Sequence, residues 1–434
     1  MHREGTNTSY SMPGGLRTLL LGGMVLGAIC LVMSWFMGDE IHTRFWTNLL
    51  HNGVFFTGIG LMATFFLTVC VTAWAGWHTV FKRVWEAFSL FLIPGSVIMF
   101  LFAIAVFMHM NHLYHWADTS EATMNDTIIQ GKTSFLNTKV YLILGGIILT
   151  TWCFFAVRLR GLSVDEDANG TLEFTQHRSM RWYSAAFLPI AGFTSAAMIW
   201  LWIMSLDAHW YSTMFAWYSG ASLFVSMICL TIIILVYLKN KGYYEEVTPE
   251  HIHDLGKFLF AFSIFWTYLW FSQYMLIWYA NVGEETIYFR ERHDNYPVLF
   301  WGNLVINFVL PFFVLMRNDT KRKFGSVAFV AVIVLFGHWL DFFQMIKPGA
   351  RHSAQEHLAH AADHGGDSAA HAEHAAHHVG TAFEVGYTIP GFIELGTGVG
   401  FLCFFLYWTF SKLSQASLVP KNDPYLAESL HHHV

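Results

Sequence analysis

Residues 258–279 read FLFAFSIFWTYLWFSQYMLIWY and lie within a run of 26 residues, between Lys257 and Glu284, that contains no Asp, Glu, Lys or Arg. Eleven of the quoted residues are aromatic, and Gln273 is a conspicuous polar exception. A helix that crosses the ~30 Å hydrocarbon core of a bilayer needs about 20 apolar residues. The stretch therefore predicts a transmembrane helix.

The composition of the whole chain extends this prediction. Of its 434 residues, 55% are hydrophobic and only 12% are charged, and the mean hydropathy is +0.42, which lies outside the usual range of soluble globular proteins. We therefore predict an all-α integral membrane protein with ten transmembrane helices. No basic patch or phosphate-binding loop indicates nucleic-acid binding. The predicted helices are residues 16–37, 52–75, 88–109, 136–157, 183–205, 217–238, 257–280, 297–316, 324–343 and 388–410.

The distribution of Lys and Arg predicts the orientation, because cytoplasmic loops retain these residues. If the N-terminus is inside, 17 of the 24 Lys and Arg residues fall in internal segments and seven in external loops. Both termini are therefore predicted to be cytoplasmic.

The middle eight helices divide into two sets of four with weak similarity. The last helix of each set ends in a pattern of His, Trp and Asp, at residues 206–210 and 338–341. This similarity predicts a parallel repeat of two four-helix bundles. The predicted segments are an N-terminus 1–15, a flanking helix 16–37, bundles 48–210 and 211–343, an external His-rich loop 344–387, a flanking helix 388–410 and a tail 411–434.

The external loop is rich in Ala, Gly and His, with eight histidines from His352 to His378. Several of these histidines are three or four residues apart and could collect a metal ion. No acidic or Cys partner fixes a geometry, so the composition favours a solvated linker. The sequence predicts no metal site.

Ionisable residues inside membrane helices are costly and therefore mark functional candidates. In the predicted orientation such residues gather near the external ends of the helices. Because histidines and carboxyl groups in proximity can pass protons, we predict a proton pathway that opens outward. The alternative is that some of them only cap helix ends in interfacial water. The candidates are His338, Asp341, Glu394, Asp207 and His209.

Two other kinds of site remain open. The aromatic run could stack a quinone ring, with Gln273, His109 or His112 as a hydrogen-bond partner, although aromatic stripes on buried helices usually pack in the core. The charge cluster after residue 282 could dock an external protein or simply end the helix in water. Its docking candidates are Glu284, Glu285, Arg290 and Arg292.

The five cysteines lie in five different predicted helices, and no C-x-x-C or C-x-x-C-H motif occurs. The sequence therefore predicts neither an iron–sulfur cluster nor covalently bound haem on this chain.

Residues 261–285, AFSIFWTYLWFSQYMLIWYANVGEE, resemble the seventh membrane helix of the ActF subunits of bacterial alternative complex III. The segment His338-Trp339-Leu340-Asp341 and the Glu394 region, PGFIE, are similar too. The ten-helix plan resembles the wider polysulfide reductase membrane-subunit (NrfD-like) family. The resemblance covers roughly residues 15–412.

This resemblance implies a subunit of a quinol:cytochrome c, or directly oxidase-linked, oxidoreductase in the bacterial inner (plasma) membrane. Its partners would be a sister ten-helix subunit with the main quinol site, an iron–sulfur subunit, haem c subunits, lipid and, in some complexes, a terminal oxidase. The chain itself would perform no redox chemistry and hold no cofactor, a quinone excepted. Its role would be structural support and part of a proton pathway through His338, Asp341 and Glu394.

Two alternatives stay open. One is a subunit with its own quinol site. The other is a secondary transporter, which is disfavoured because Pro94-Gly95 in the third helix has no matching break in the seventh.

Overall fold

The computed structural model describes residues 9–37, 41–118, 121–170, 173–364 and 385–433, without the side chains of residues 121–122 and 355–364. Within these ranges the chain is mostly helical and has no β-strand, only isolated bridges such as Ser9 to Ser417. His371, His374, His377 and His378 of the His-rich loop lie outside the described residues, so the interpretation of that loop stays a prediction.

Ten helices in the described part of the chain are long and apolar enough to cross a membrane, which confirms the predicted all-α class and the ten apolar helices. We call them α1 (Gly14–Phe36), α2 (Thr43–Thr72), α3 (Thr79–Phe107), α4 (Thr138–Asn169), α5 (Thr175–Leu206), α6 (Met214–Asn240), α7 (Pro249–Ala280), α8 (Pro297–Leu315), α9 (Phe324–Ala354) and α10 (Phe392–Leu413). The helical structure of α9 continues to His364.

Several helices extend beyond the apolar stretches that predicted them. The helix of α2 begins at Thr43, and α9 passes its predicted end at residue 343 and continues through Pro348. The added polar turns find partners inside the protein: the Lys347 Nζ donates a hydrogen bond to Thr47 Oγ1 at 2.8 Å. Hydropathy therefore marks the apolar part of a helix but not its end.

Three of the described helices are irregular. In α5 a 3₁₀ turn, Met204–Leu206, follows the α-helix Thr175–Trp202. The α3 segment combines a 3₁₀ turn at Thr79–Phe81 with helices at Lys82–Ser89 and Leu92–Phe107. In α8 a π-helical turn, Val305–Val309, precedes Pro311. Proline has no N–H to donate, and π-helical turns are frequent at functional sites.

The helices pack in two rings. In order along the chain, α2 to α5 each contact the next and α5 returns to α2; α6 to α9 repeat this pattern. The two rings meet where α2 contacts α6 and α9. Outside them α1 packs on α10, where a Cβ atom added to Gly27 would lie 2.3 Å from the Gly400 Cα. The absence of side chains there permits this close backbone approach.

At each end of the helix assembly, an ion pair joins two helix termini that are distant in the sequence. The Arg44 side chain at the start of α2 pairs with Glu394 at the start of α10. At the opposite end Arg322 pairs with Glu250 at 3.0 Å. We refer to the first as the predicted outer end and the second as the predicted inner end.

Candidate functional site

A buried carboxyl group on α9 is held by neutral donors from two other helices. The Asp341 side chain is 1% exposed. Its Oδ2 accepts hydrogen bonds from Ser222 Oγ on α6 and Trp266 Nε1 on α7, both at 2.9 Å, and its Oδ1 accepts one from the Tyr218 hydroxyl. No Lys or Arg in the described part of the chain forms an ion pair with it. The carboxyl group is therefore solvated by the protein without a neutralising cation.

Ser222 connects this carboxyl group to a histidine. The Ser222 Oγ lies 2.9 Å from His338 Nδ1, while His338 Nδ1 and Asp341 Oδ2 are 4.0 Å apart. A hydroxyl group has one hydrogen to donate. When that hydrogen points to Asp341, Nδ1–H of His338 must donate to Ser222 Oγ. The three side chains then form a continuous chain of hydrogen bonds.

A small cavity lies on the other side of Asp341. It has a volume of about 20 Å³ and reaches from Asp341 to Arg292, with Gln273 and Gln344 in its lining. A site of this size is large enough for one water molecule. The Nε2 atoms of Gln273 and Gln344 are buried and have no hydrogen-bond partner among the described residues. The polar lining therefore suits a water next to the carboxyl group.

Arg292 closes this cavity and is not a surface residue. Its guanidinium pairs with Asp207 at 3.0 Å and lies 3.4 Å from the ring centroid of Tyr288. Burial opposes the charged form, but Tyr288 and Asp207 hold the pKa of Arg292 above its usual value. Arg292 is only 2% exposed, so its position does not support the predicted role in docking a partner, which stays a prediction. Asp207, predicted as a proton-pathway residue, is the partner of this cation.

The other docking candidates lie on the same helix as Arg292, Gly283–Asn295, which follows α7. Glu284 and Arg290 are exposed on it, and Glu285 is partly exposed. Their predicted contact with an external protein stays a prediction.

Glu394 belongs to a different group of side chains. Its carboxylate accepts two hydrogen bonds from Arg44, at 2.8 and 2.9 Å, and others from Asn48 Nδ2 and the Gly391 N–H. Among the described residues no hydrogen bond or ion pair joins it to His338 or Asp341. The structure therefore does not bring the three predicted proton carriers together, because Glu394 serves as an ion-paired cap of α10.

His209 lies at the surface of the predicted outer end. Its Nε2 is 2.5 Å from Asp126 Oδ2, and its side chain is 42% exposed. Although desolvation opposes ionisation, hydrogen bonds from His209 and from the N–H groups of Ile128 and Ile129 hold the pKa of Asp126 below its usual value. This pair anchors a connection, and no described contact joins it to Asp341.

The three candidates for quinone contact are not assembled into one site. Gln273 lines the small cavity beside Asp341, whereas His109 and His112 line another cavity of about 70 Å³. Both volumes are far below the roughly 300–1,000 Å³ of ordinary small-molecule pockets. Neither cavity has the size of a quinone site in this conformation.

Sequence reasoning missed several residues that build this region. Tyr218 and Ser222 lie on one face of α6, and their role depends on how α6 packs against α9. Asn303 and Asn307, four residues apart in α8, are buried, and Asn303 donates to the Gln344 amide oxygen at 2.9 Å. Two asparagines at this spacing in an apolar helix are a signal that the sequence offers, because amides inside a membrane need partners.

A second buried carboxyl group, that of Glu86, lies at the predicted inner end, and unlike Asp341 it has cationic partners. Glu86 Oε2 is 2.7 Å from Arg83 Nη1 and 2.5 Å from Arg160 Nη1, and its Oε1 accepts from Ser163. Two guanidinium groups thus hold one carboxylate in its charged form. Glu86 thus belongs to a structural cluster of ion pairs, whereas the carboxyl group of Asp341 has neutral donors only among the described residues.

A scan against known protein families matches none, and a search of curated protein sequences likewise finds no match.

Proposed function

We propose that this chain is a ten-helix membrane subunit of a respiratory quinol:cytochrome c, or directly oxidase-linked, oxidoreductase of the alternative complex III type. In this proposal it gives structural support and carries part of a proton pathway, while partner subunits hold the iron–sulfur clusters and haems c. The observation that supports the proton role best is the Asp341 carboxyl group, which is buried without a cationic partner in the described part of the chain.

The chain of hydrogen bonds offers a route by which a proton could pass between His338 and this carboxyl group. A proton that binds His338 Nε2 allows the Nδ1 hydrogen to move to Ser222 Oγ while the hydroxyl hydrogen moves to Asp341. Ser222 gives up one hydrogen and receives another. His338 ends in its neutral form with the new proton on Nε2, so one proton reaches the carboxyl group. A water in the adjoining cavity would continue the path towards Arg292.

The proposal includes an orientation and a repeat. With both termini in the cytoplasm, the cavity beside Asp341 lies nearer the outer face. Two parallel bundles, residues 48–210 and 211–343, are supported by the matching contact rings of α2 to α5 and α6 to α9. The location would be the bacterial inner membrane.

The alternatives have less support. A subunit with its own quinol site needs a pocket for the ring, and the cavities lined by Gln273 and by His109 and His112 are small. A secondary transporter of repeated design would often break matching helices in both halves. In this chain the 3₁₀ and π-helical irregularities fall in α3, α5 and α8, and no two of these helices occupy the same place in their rings.

The proposal is tested on the complex purified from native membranes. Haem c and iron–sulfur subunits should co-purify with the chain, and a colourless single protein would contradict the assignment. In vesicles, Asp341→Asn should lower the number of protons translocated per electron more than the rate of electron transfer. Asp319→Asn, at an exposed carboxylate between α8 and α9, is the matched control and should leave both unchanged. An unaltered ratio in Asp341→Asn would exclude the proton role.

A further inference from the structure

Three potential metal ligands meet at the predicted inner end, between α4, α5 and the C-terminal tail. They are Glu166, His177 and Asp423, and their ligand atoms all lie within 4.8 Å of one another. We propose that these side chains form a binding site for a divalent transition metal ion such as Zn²⁺, which fixes the tail to the helices. This site is separate from Asp341 and does not depend on the proposed proton pathway.

The hydrogen-bonding state of two of these side chains points to a ligand. Glu166 is 2% exposed and His177 6% exposed. Neither carboxylate oxygen of Glu166 and neither ring nitrogen of His177 has a hydrogen-bond partner among the described residues. The His177 Nδ1 and Glu166 Oε1 are 3.7 Å apart, beyond hydrogen-bond distance. Buried polar groups without partners are costly, and a metal ion between them would satisfy both.

The charged side chains around the proposed site include more carboxyl groups than cations, which favours the binding of a further cation. Contacts within 4 Å link three cations to four carboxylates. The linked groups are Lys82, Arg83, Arg160, Glu86, Glu166, Asp167 and Asp423. With all four carboxyl groups ionised and His177 neutral, the carboxylates in these contacts outnumber the cations by one.

Lys82 is the nearest competitor for the site. Its ammonium group donates a hydrogen bond to Asp423 but lies 3.8 Å from Glu166 Oε2, too far to bond it. It satisfies one of the three ligands and leaves Glu166 and His177 unbonded. A metal ion that binds all three would compete with Lys82 for Asp423 alone.

The donor set selects the kind of metal. One imidazole nitrogen with two carboxylate oxygens suits zinc and similar transition metals, whereas magnesium and calcium prefer oxygen ligands alone. Ligands about 2.0–2.2 Å from a tetrahedral zinc ion lie about 3.5 Å from one another. Binding therefore requires the three side chains to close by about 1 Å, which side-chain rotation can supply.

Metal binding would act on the tail. Asn422 Nδ2 already donates to the Glu166 carbonyl at 3.1 Å, and the Tyr425 ring lies 5.5 Å from the His177 ring. The ion would add bonds from Asp423 to two helices. The site thus has a structural role.

The first experiment measures zinc in the full-length chain within its complex. After chelation and reloading with ZnCl₂, bound zinc is counted by mass spectrometry following dialysis against a weak chelator. His177→Gln and Glu166→Gln should each retain one zinc fewer per chain than the wild type. Asp165→Asn, at the neighbouring position on α4, is the matched control and should retain the wild-type number. This difference separates the site from zinc held by other histidines.

The second experiment needs no variant that could fail to fold. With the wild type, ZnCl₂ should slow tryptic cleavage after Lys421 several-fold compared with the chelated protein. Lys82→Met should bind zinc several-fold more tightly, because its ammonium no longer competes. Equal zinc content in the wild type and His177→Gln, or tail cleavage that zinc does not change, would overturn the proposal.

Discussion

At the scale of residues, two buried carboxyl groups in this chain have opposite surroundings. Glu86 is held by two guanidinium groups, and Asp341 by a serine, a tyrosine and a tryptophan. Removing one partner of a buried ion pair leaves an uncompensated charge and is strongly destabilising. Neutral donors hold a carboxyl group in place without fixing its charge so firmly. Glu86 therefore suits a structural role, and Asp341 a role in which a proton comes and goes.

Ser222→Ala tests this distinction directly. It removes the hydroxyl group between His338 and Asp341 and leaves both in place. We expect proton translocation per electron to fall, at a cost in stability of about 1–3 kcal/mol for the lost buried hydrogen bonds. The matched control is Ser226→Ala, whose hydroxyl group donates to the Ser222 carbonyl and bonds no other described residue. Equal proton-to-electron ratios in the two variants would show that Ser222 does not carry protons.

Glu394→Gln should behave differently from Asp341→Asn. It removes the charge that pairs with Arg44 and weakens two hydrogen bonds. We expect a loss of roughly 1–3 kcal/mol of stability, measured by thermal unfolding in detergent, without a selective change in the proton-to-electron ratio. Glu284→Gln is the control and should leave the melting temperature unchanged. A selective loss of proton translocation in Glu394→Gln would return it to the predicted pathway.

At the scale of elements, α8 and α9 come into very close contact beside the site. A Cβ atom added to Gly337 would lie 2.1 Å from Asn307 Oδ1 and 2.4 Å from Ile306 Cγ2. These two residues belong to the π-helical turn of α8. Because Gly337 directly precedes His338, the widened turn of one helix and the missing side chain of the other set the position of that histidine.

Gly337→Ala should therefore destabilise the protein. The added methyl group cannot be accommodated unless the side chains of Asn307 and Ile306 shift, and overpacking of this kind costs about 1–3 kcal/mol. Gly325→Ala, on the same helix with nothing within 4 Å of the new atom, is the matched control and should be neutral or slightly stabilising. The comparison requires only the two melting temperatures. Equal melting temperatures would mean that the contact between α8 and α9 accepts the added methyl group without cost.

The C-terminal tail is an element whose attachment depends on pH. Burial opposes ionisation of Asp423, but the charge and hydrogen bond of Lys82 hold its pKa below the usual value. A depressed pKa contributes stability that is present above the ordinary aspartate value, about 3.9, and is lost as the pH falls through the folded-state value. We expect the rate at which pepsin releases the tail, relative to its rate on an unfolded substrate at the same pH, to rise only below about pH 4. Release that is equally fast at pH 5 would contradict this assignment.

At the scale of the whole molecule, hydropathy predicted ten helices and their approximate places, since a bilayer requires long apolar stretches. It identified His338 and Asp341 as costly residues on one helical face. It could not supply Ser222, Trp266 or Arg292, because these partners depend on which helices become neighbours. Glu394 was grouped with Asp341 by depth and by the family resemblance, and neither signal indicates its ion pair with Arg44, which lies outside the predicted apolar stretches.

The contact between α1 and α10 bears on how the chain is made. The main packing partner of α1 is α10, and this contact places Gly27 against Gly400, which is far away in the sequence. Of the ten described helices, a ribosome completes α1 before the other nine and α10 after them, so α1 has no contact with that partner until the other eight have been made. Among these ten, the helix that is synthesised first is therefore one of the last to pack.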